Sequence, residues 1–277
     1  MEHSFDWGSG QSNQFSVTTK GLPQAWLWAE ERWSDRQERA MGFSQQAVEQ
    51  ARILVCGVNG LGRWMAEILV RKGYGSILLC DPDIVEITNL HRAPWSHSSV
   101  GEYKVVAALK ELSELAPGPT ELIAFIGTLQ DVLASELAHK LSACLIGVDN
   151  DQARAHAAKT LRMLRTPAIF YSVSADTQVF EVFVQENGGP CWACLHPQRY
   201  LEGLDKFSLT ACPKVAAIAD PCIVAVGLCS YALDSLLMPR PRAWNFRQGH
   251  LHGELRETVA RLQRNDDCPL CASYQES

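Results

Sequence analysis

Short apolar runs alternating with longer helical patterns constrain this chain more than any other feature. The runs fall at Arg52–Cys56, Ser76–Asp81, Glu121–Ile126, Ala143–Val148 and Pro167–Val173. Between them, apolar residues spaced three and four apart predict helices over Leu61–Lys72, Lys104–Leu115, Val132–Leu141 and Gln152–Leu164. Strands that are apolar along their whole length are covered on both faces. Strand and helix in strict alternation therefore predict an α/β fold, a mostly parallel sheet wrapped by helices on both faces. With 277 residues, 47% of them hydrophobic and 20% charged, the chain can bury such a core.

The flanks read differently. Residues 1–22 are polar and rich in Gly and Ser, which predicts a flexible or loosely docked arm. Pro23–Gln50 has a helical pattern anchored by Trp26, Trp28 and Trp33. Residues 23–186 are expected to form the main alternating α/β region, and 187–277 a C-terminal region of the same domain. In the latter part, "QVFEVFVQ" at Gln178–Gln185 alternates with period two, as a half-buried, antiparallel strand does. A loop rich in Cys, Pro and Gly is expected from Asn187 to Asp220, then an apolar helix over Pro221–Met238. Arg242–Leu262 fits either a hairpin turning near Gly249–Gly253 or, through "ELRETVARLQR", a helix. The net charge of −6 gives no electrostatic reason to expect nucleic acid as a partner. Neither a signal-peptide pattern nor a run of about 18 apolar residues is present, so a cytoplasmic protein without a membrane partner is expected.

The first strand runs into "GVNGLGR". Gly57, Gly60 and Gly62 form a turn that aims backbone N–H groups and a helix N-terminus at phosphate, with Asn59 standing inside it. The spacing is G-x-x-G-x-G, not the dinucleotide fingerprint G-x-G-x-x-G. Asn59 tolerates a left-handed backbone, so the turn survives it. Asp81 ends the second strand, where a carboxylate accepts hydrogen bonds from ribose; that placement suits NAD and ATP equally. Asn89, Arg92 and Lys104 favour ATP over NAD, because an amide and two cations suit a triphosphate and its pyrophosphate leaving group, although each cation taken alone reads as an exposed surface charge.

Ten cysteines are unevenly placed. Cys56, Cys80 and Cys144 lie in strand runs and Cys222 and Cys229 on the apolar helix, all as small hydrophobes. Cys191 and Cys194 form one C-x-x-C pair and Cys268 and Cys271 another, and four such thiolates suit a structural, tetrahedral Zn²⁺. The histidines show no paired ligand spacing.

"CDPDIVEITNLHR", "VGEYK" and "GVDND", in that order, resemble the ThiF/MoeB family of the ubiquitin-activating-enzyme superfamily, with the likeness running from Arg32 to Cys271. The resemblance implies a Rossmann-like fold extended by antiparallel strands and a zinc-pinned C-terminal segment. It implies an enzyme that uses ATP and Mg²⁺ to adenylate the C-terminal glycine of a ubiquitin-like or sulfur-carrier protein ending in Gly-Gly. In those roles Asp81 binds ribose, Asn89, Arg92 and Lys104 orient the triphosphate, Asp149 holds Mg²⁺, and Arg154 follows it. "RWSDRQ" resembles the family's motif for an arginine offered across a homodimer interface, Arg36 here, with Arg32 as the alternative. Cys212 in "TACPKV" stands where relatives carry a reactive cysteine that takes the acyl group as a thioester. A conjugating or sulfur-transfer enzyme would then act downstream. Ala158 departs from the polar residue frequent in relatives. The alternatives are adenylation of a peptide or tRNA-bound carboxylate, and a non-catalytic nucleotide-binding scaffold; an NAD oxidoreductase is more remote.

Overall fold

The computed structural model describes residues 13–20, 32–205 and 218–273. Trp26, Trp28 and Cys212 lie outside the described residues. The strands are β1 (Gln14–Thr18), β2 (Arg52–Cys56), β3 (Ser76–Cys80), β4 (Glu121–Phe125), β5 (Ala143–Ile146), β6 (Ala168–Val173), β7 (Val179–Gln185), β8 (Phe246–His250) and β9 (Arg256–Ala260). The helices are α1 (Asp35–Glu38), α2 (Gln45–Gln50), α3 (Gly62–Lys72), α4 (Lys104–Leu115), α5 (Leu129–Leu133), α6 (Asp151–Met163), α7 (Trp192–Leu195), α8 (Pro197–Asp205) and α9 (Ala219–Leu237).

The strands form one sheet in the order β1-β4-β3-β2-β5-β6-β7-β8-β9. Its centre, β4-β3-β2-β5-β6, is parallel, and β1, β7, β8 and β9 join antiparallel. The chain builds outward from β2 to β4, then returns and builds the other way from β5. The order reverses between β2 and β5, and the crevice at the carboxyl ends of those strands is where such sheets bind ligands.

Alternate residues along each central strand feed two cores, as period-two geometry requires. Ile53, Val55, Ile77 and Leu145 meet Met65, Leu69, Val105 and Leu233 on the α3/α4/α9 face. Leu54, Leu78, Cys144 and Phe170 meet Leu129, Leu161 and Trp192 on the α5/α6/α7 face. The five thiols read as small hydrophobes, Cys56, Cys80, Cys144, Cys222 and Cys229, are buried. By length and composition α9 could cross a membrane. It packs instead on β6, β7 and α3, and its buried Asp234 accepts hydrogen bonds from Lys72, Tyr74 and Arg240.

Several expectations are corrected. The presumed N-terminal arm contains β1, which pairs along its length with β4 and buries Val17. Pro23–Gln50 is not one helical unit where it is described: α1 and α2 are short and separated by a turn at Gly42. Trp33 nevertheless anchors the region, its ring lying against Gly73 and Gly118. The helix expected over Val132–Leu141 divides into α5 and a 3₁₀ turn at Glu136–Lys140, because the Ser135 hydroxyl accepts from Leu137 N–H and starts a new segment. The loop expected after Asn187 holds α7 and α8. The tail is the hairpin β8–β9, not the alternative helix.

Candidate active site

The glycine turn is compressed until only glycine fits at two positions. Gly57 has φ +84°, and a Cβ there would lie 2.8 Å from the Gly147 carbonyl oxygen across the switch point. A Cβ on Gly62 would lie 1.8 Å from the Gly57 oxygen, so the first turn of α3 seats directly on the loop. Asn59 does not occupy the left-handed region, so its type is not required by the turn's backbone. Its carbonyl caps α3 by accepting from Arg63 N–H at 2.9 Å, while its buried Oδ1 has no partner among the described residues. A buried acceptor without a partner beside a helix N-terminus leaves polar groups here that a bound ligand could satisfy.

Asp81 is placed at this turn by the end of β3. Its Oδ2 accepts from Val58 N–H at 2.7 Å and its Oδ1 from Asp83 N–H at 2.9 Å. Lys104, buried at the start of α4, stands 3.7 Å from Asp81 and donates to Asp83 Oδ2 at 2.8 Å. Burial raises the Asp81 pKa, and the Lys104 charge and the two backbone donors hold that rise back.

The loop between β3 and α4 carries the other two groups. Asn89 is turned inward, its Oδ1 accepting from Glu86 N–H at 3.0 Å in a reciprocal cap that fixes the loop. Arg92 lies over Gly60, 3.3 Å from where a Cβ would stand, and its Nη1 donates to Thr88 O at 2.8 Å. Gly57, Asn59, Gly60, Gly62, Asp81, Arg92 and Lys104 thus share one rim of the crevice, and Asn89 shapes it from behind.

Asp149 follows β5 on the opposite rim and is exposed. Behind it Arg154, buried on α6, donates to the Val148 carbonyl through Nε at 3.0 Å and Nη2 at 2.7 Å. That double hydrogen bond fixes the backbone from which Asp149 projects. Burial and the neighbouring Arg199 lower the Arg154 pKa, and Asp151, Glu181 and Asp149 oppose the shift. Beside it, His196 Nε2 and Glu181 Oε1 lie 2.9 Å apart, and Arg199 makes a two-pronged ion pair with Asp151 at 2.9 and 2.7 Å. Burial pushes the Glu181 carboxyl up, but the His196 hydrogen bond and charge, with Arg154 and Arg199, outweigh it and hold it below the ordinary value. No spacing in the sequence announced the His196–Glu181 pair, because Glu181 lies on β7 and His196 at the end of α7.

The two cysteine pairs, 77 residues apart, meet. Sγ of Cys191, Cys194, Cys268 and Cys271 all lie within 4.8 Å of one another, with neighbouring sulfurs at 3.4–3.7 Å. Four thiolates at Zn–S bonds of about 2.3 Å span edges of about 3.8 Å, so this cluster fits a tetrahedral Zn²⁺ with every position filled. Arg32, fully exposed, pairs with Asp35 and Glu38. Arg36 is exposed on α1 and forms no ion pair among the described residues.

A sequence model of the ThiF family matches residues 32–270. The chain belongs to the ThiF family. It is 28% identical over 238 residues to the sulfur carrier protein adenylyltransferase of Thermus thermophilus, covering 82% of this chain and 84% of that protein. It is 33% identical over 164 residues to the adenylyltransferase and sulfurtransferase Uba4 of Aspergillus terreus, covering 56% of this chain. It is 23% identical over 252 residues to the ATP-dependent ubiquitin transferase-like protein Cap2 of Escherichia coli, covering 82% of this chain. The chain spans 33% of the Uba4 protein and 42% of Cap2. Among solved structures, E. coli MccB with ATP shares the fold, with a TM-score of 0.65 and 18% identity over 82% of this chain and 68% of that one.

Proposed function

We propose that this chain activates the C-terminal carboxylate of a small carrier protein ending in Gly-Gly by forming its acyl-adenylate from ATP. The observation that carries this reading is the crevice at the switch point. One rim has the α3 N-terminus, Arg92 and Lys104, and the other has Asp149 held by Arg154. The naming of the Thermus relative as a sulfur carrier protein adenylyltransferase supports the substrate class.

The ribose hydroxyls would meet Asp81, whose carboxylate is pre-oriented by two backbone donors. The triphosphate would lie along the α3 N-terminus, where Arg92 and Lys104 carry the positive charge a pyrophosphate leaving group requires. Mg²⁺ at Asp149 would neutralise further phosphate charge. Lys104 pairs with Asp81 and Asp83, and in this reading it would share its charge with the phosphates. Arg36, unpaired among the described residues, is the better of the two candidates for an arginine offered to a second copy in a homodimer. Zn²⁺ at the four cysteines is structural in this reading, since no position remains for substrate. Cys212 would take the acyl group as a thioester, before a conjugating or sulfur-transfer enzyme receives it.

ATP–pyrophosphate exchange, driven by a panel of Gly-Gly carrier proteins, tests the reading. Lys104→Ala and Asp149→Ala should each abolish exchange, and Cys212→Ala should preserve exchange while removing any thioester. Exchange that persists in both Lys104→Ala and Asp149→Ala would remove the assignment of these groups, and failure of the wild type to bind ATP would remove the reading itself.

A further inference from the structure

Tyr171, in the middle of β6, is 1% exposed, and its hydroxyl has no hydrogen-bond partner among the described residues. Cys229, Cys56 and Cys222 are the polar groups that act on it electrostatically. Burial pushes its pKa well above the ordinary phenol value, so it is a protonated donor at every physiological pH. Phenylalanine would fill the same space without a stranded O–H, and an unpaired buried donor is destabilising. The hydroxyl therefore calls for a partner that the described residues do not supply.

Strand order indicates where that partner comes from. Across β3-β2-β5-β6, Asp81 follows β3, the glycine turn follows β2 and Asp149 follows β5. Ribose, phosphate and metal acid thus succeed one another in one direction, and the next strand along is β6. The buried phenol packs against the turn that follows β5: a Cβ on Gly147 would lie 2.8 Å from Tyr171 Cζ and 2.9 Å from its hydroxyl oxygen. Gly147 in turn touches Gly57, so phenol, β5 turn and glycine turn are nested in contact. An acyl-adenylate laid along this line would carry its acyl end toward β5 and β6.

We propose that the Tyr171 hydroxyl is a catalytic hydrogen-bond donor to the acyl oxygen of the substrate, an assignment that rests on the adenylation reading. During adenylation it holds the carboxylate oxygen that does not attack phosphorus. During transfer it faces the same oxygen as negative charge develops on it under nucleophilic attack, so its effect is larger in the second step. The proton stays on the phenol throughout.

The test compares wild type with Tyr171→Phe, which removes one oxygen atom and keeps the ring. Affinities are measured for AMP and for glycylglycyl-sulfamoyl adenosine, an inert mimic of the acyl-adenylate. The expected result is that AMP binds both proteins equally while the mimic binds the variant about 10- to 100-fold more weakly, with no fall in melting temperature. A second ligand, with a methylene group in place of the acyl carbonyl, completes a cycle: it should lose affinity against wild type and lose almost none against the variant. Equal mimic affinity in both proteins would make the hydroxyl an idle defect and overturn the proposal while leaving adenylation intact. A wild-type protein that binds neither AMP nor the mimic would remove both.

Discussion

A methyl group on Gly62 probes the compressed glycine turn directly. Its carbon would stand 1.8 Å from the Gly57 oxygen, whereas ordinary contact begins at 3.4 Å, so one side must retreat by 1.6 Å (3.4 − 1.8). Gly57 cannot retreat easily. Its N–H donates to Cys80 O at 2.9 Å, and its own Cα is pressed against Gly147. The start of α3 must therefore move. Alanine gains about 1 kcal/mol of helix propensity over glycine, against an overpacking cost at or above the upper end of about 1–3 kcal/mol because the obstacle is backbone. The net expectation for Gly62→Ala is a loss of about 2 kcal/mol in urea melts. Displacing the turn by more than 1 Å should also weaken AMP binding at least about 10-fold. Gly60→Ala is the control, since its Cβ meets only the flexible Arg92 side chain at 3.3 Å and should cost less than about 1 kcal/mol. A Gly62→Ala protein as stable as wild type and with unchanged AMP affinity would refute this account of the turn.

Three further outcomes are expected. Asp234→Asn leaves Lys72 and Arg240 without their buried counter-charge and should lower stability by about 3–5 kcal/mol in urea melts, yet spare AMP binding. Glu181 and Asp151 are both held below ordinary carboxylate values, so their stabilising contribution is present above pH ~4 and lost as the pH falls through their folded-state pKa values. His196→Phe should therefore lower stability at pH 7 and flatten the acid decline; an unchanged stability–pH curve would contradict it. Elemental analysis should find about one Zn²⁺ per chain, with Cys194→Ser reducing it and lowering the melting temperature.

The central sheet was legible because β2, β3, β5 and β6 are covered on both faces and therefore read as unbroken apolar runs. β1 was not, since "QFSVT" lies on the edge and buries only Val17 there. β9 is exposed along nearly its whole length, so burial imposed no period and "RETVA" read equally well as helix. The short α7 and α8 were masked by the Cys, Pro and Gly spacing around the metal cluster. In the site, the residue types at Gly57, Asp81, Lys104 and Asp149 could be read from motif order, and the convergence of Cys191, Cys194, Cys268 and Cys271 from pair spacing. The reason given for Asn59 did not survive, because its backbone is not left-handed; its unpaired amide oxygen, not its torsion, is the feature of interest. Tyr171 was hidden by its surroundings: within "AIFYSV" it reads as one more core residue, and only the missing partner of its hydroxyl distinguishes it.

Isotope transfer reports most directly on the adenylation chemistry. A Gly-Gly carrier labelled with ¹⁸O in its C-terminal carboxylate is incubated with the enzyme, ATP, Mg²⁺ and the downstream nucleophile, and the nucleotide product is examined by mass spectrometry. Attack of the carboxylate on the α-phosphate predicts AMP carrying ¹⁸O, with unlabelled pyrophosphate. ADP with the label in inorganic phosphate, or unlabelled AMP, would contradict adenylation of the carrier.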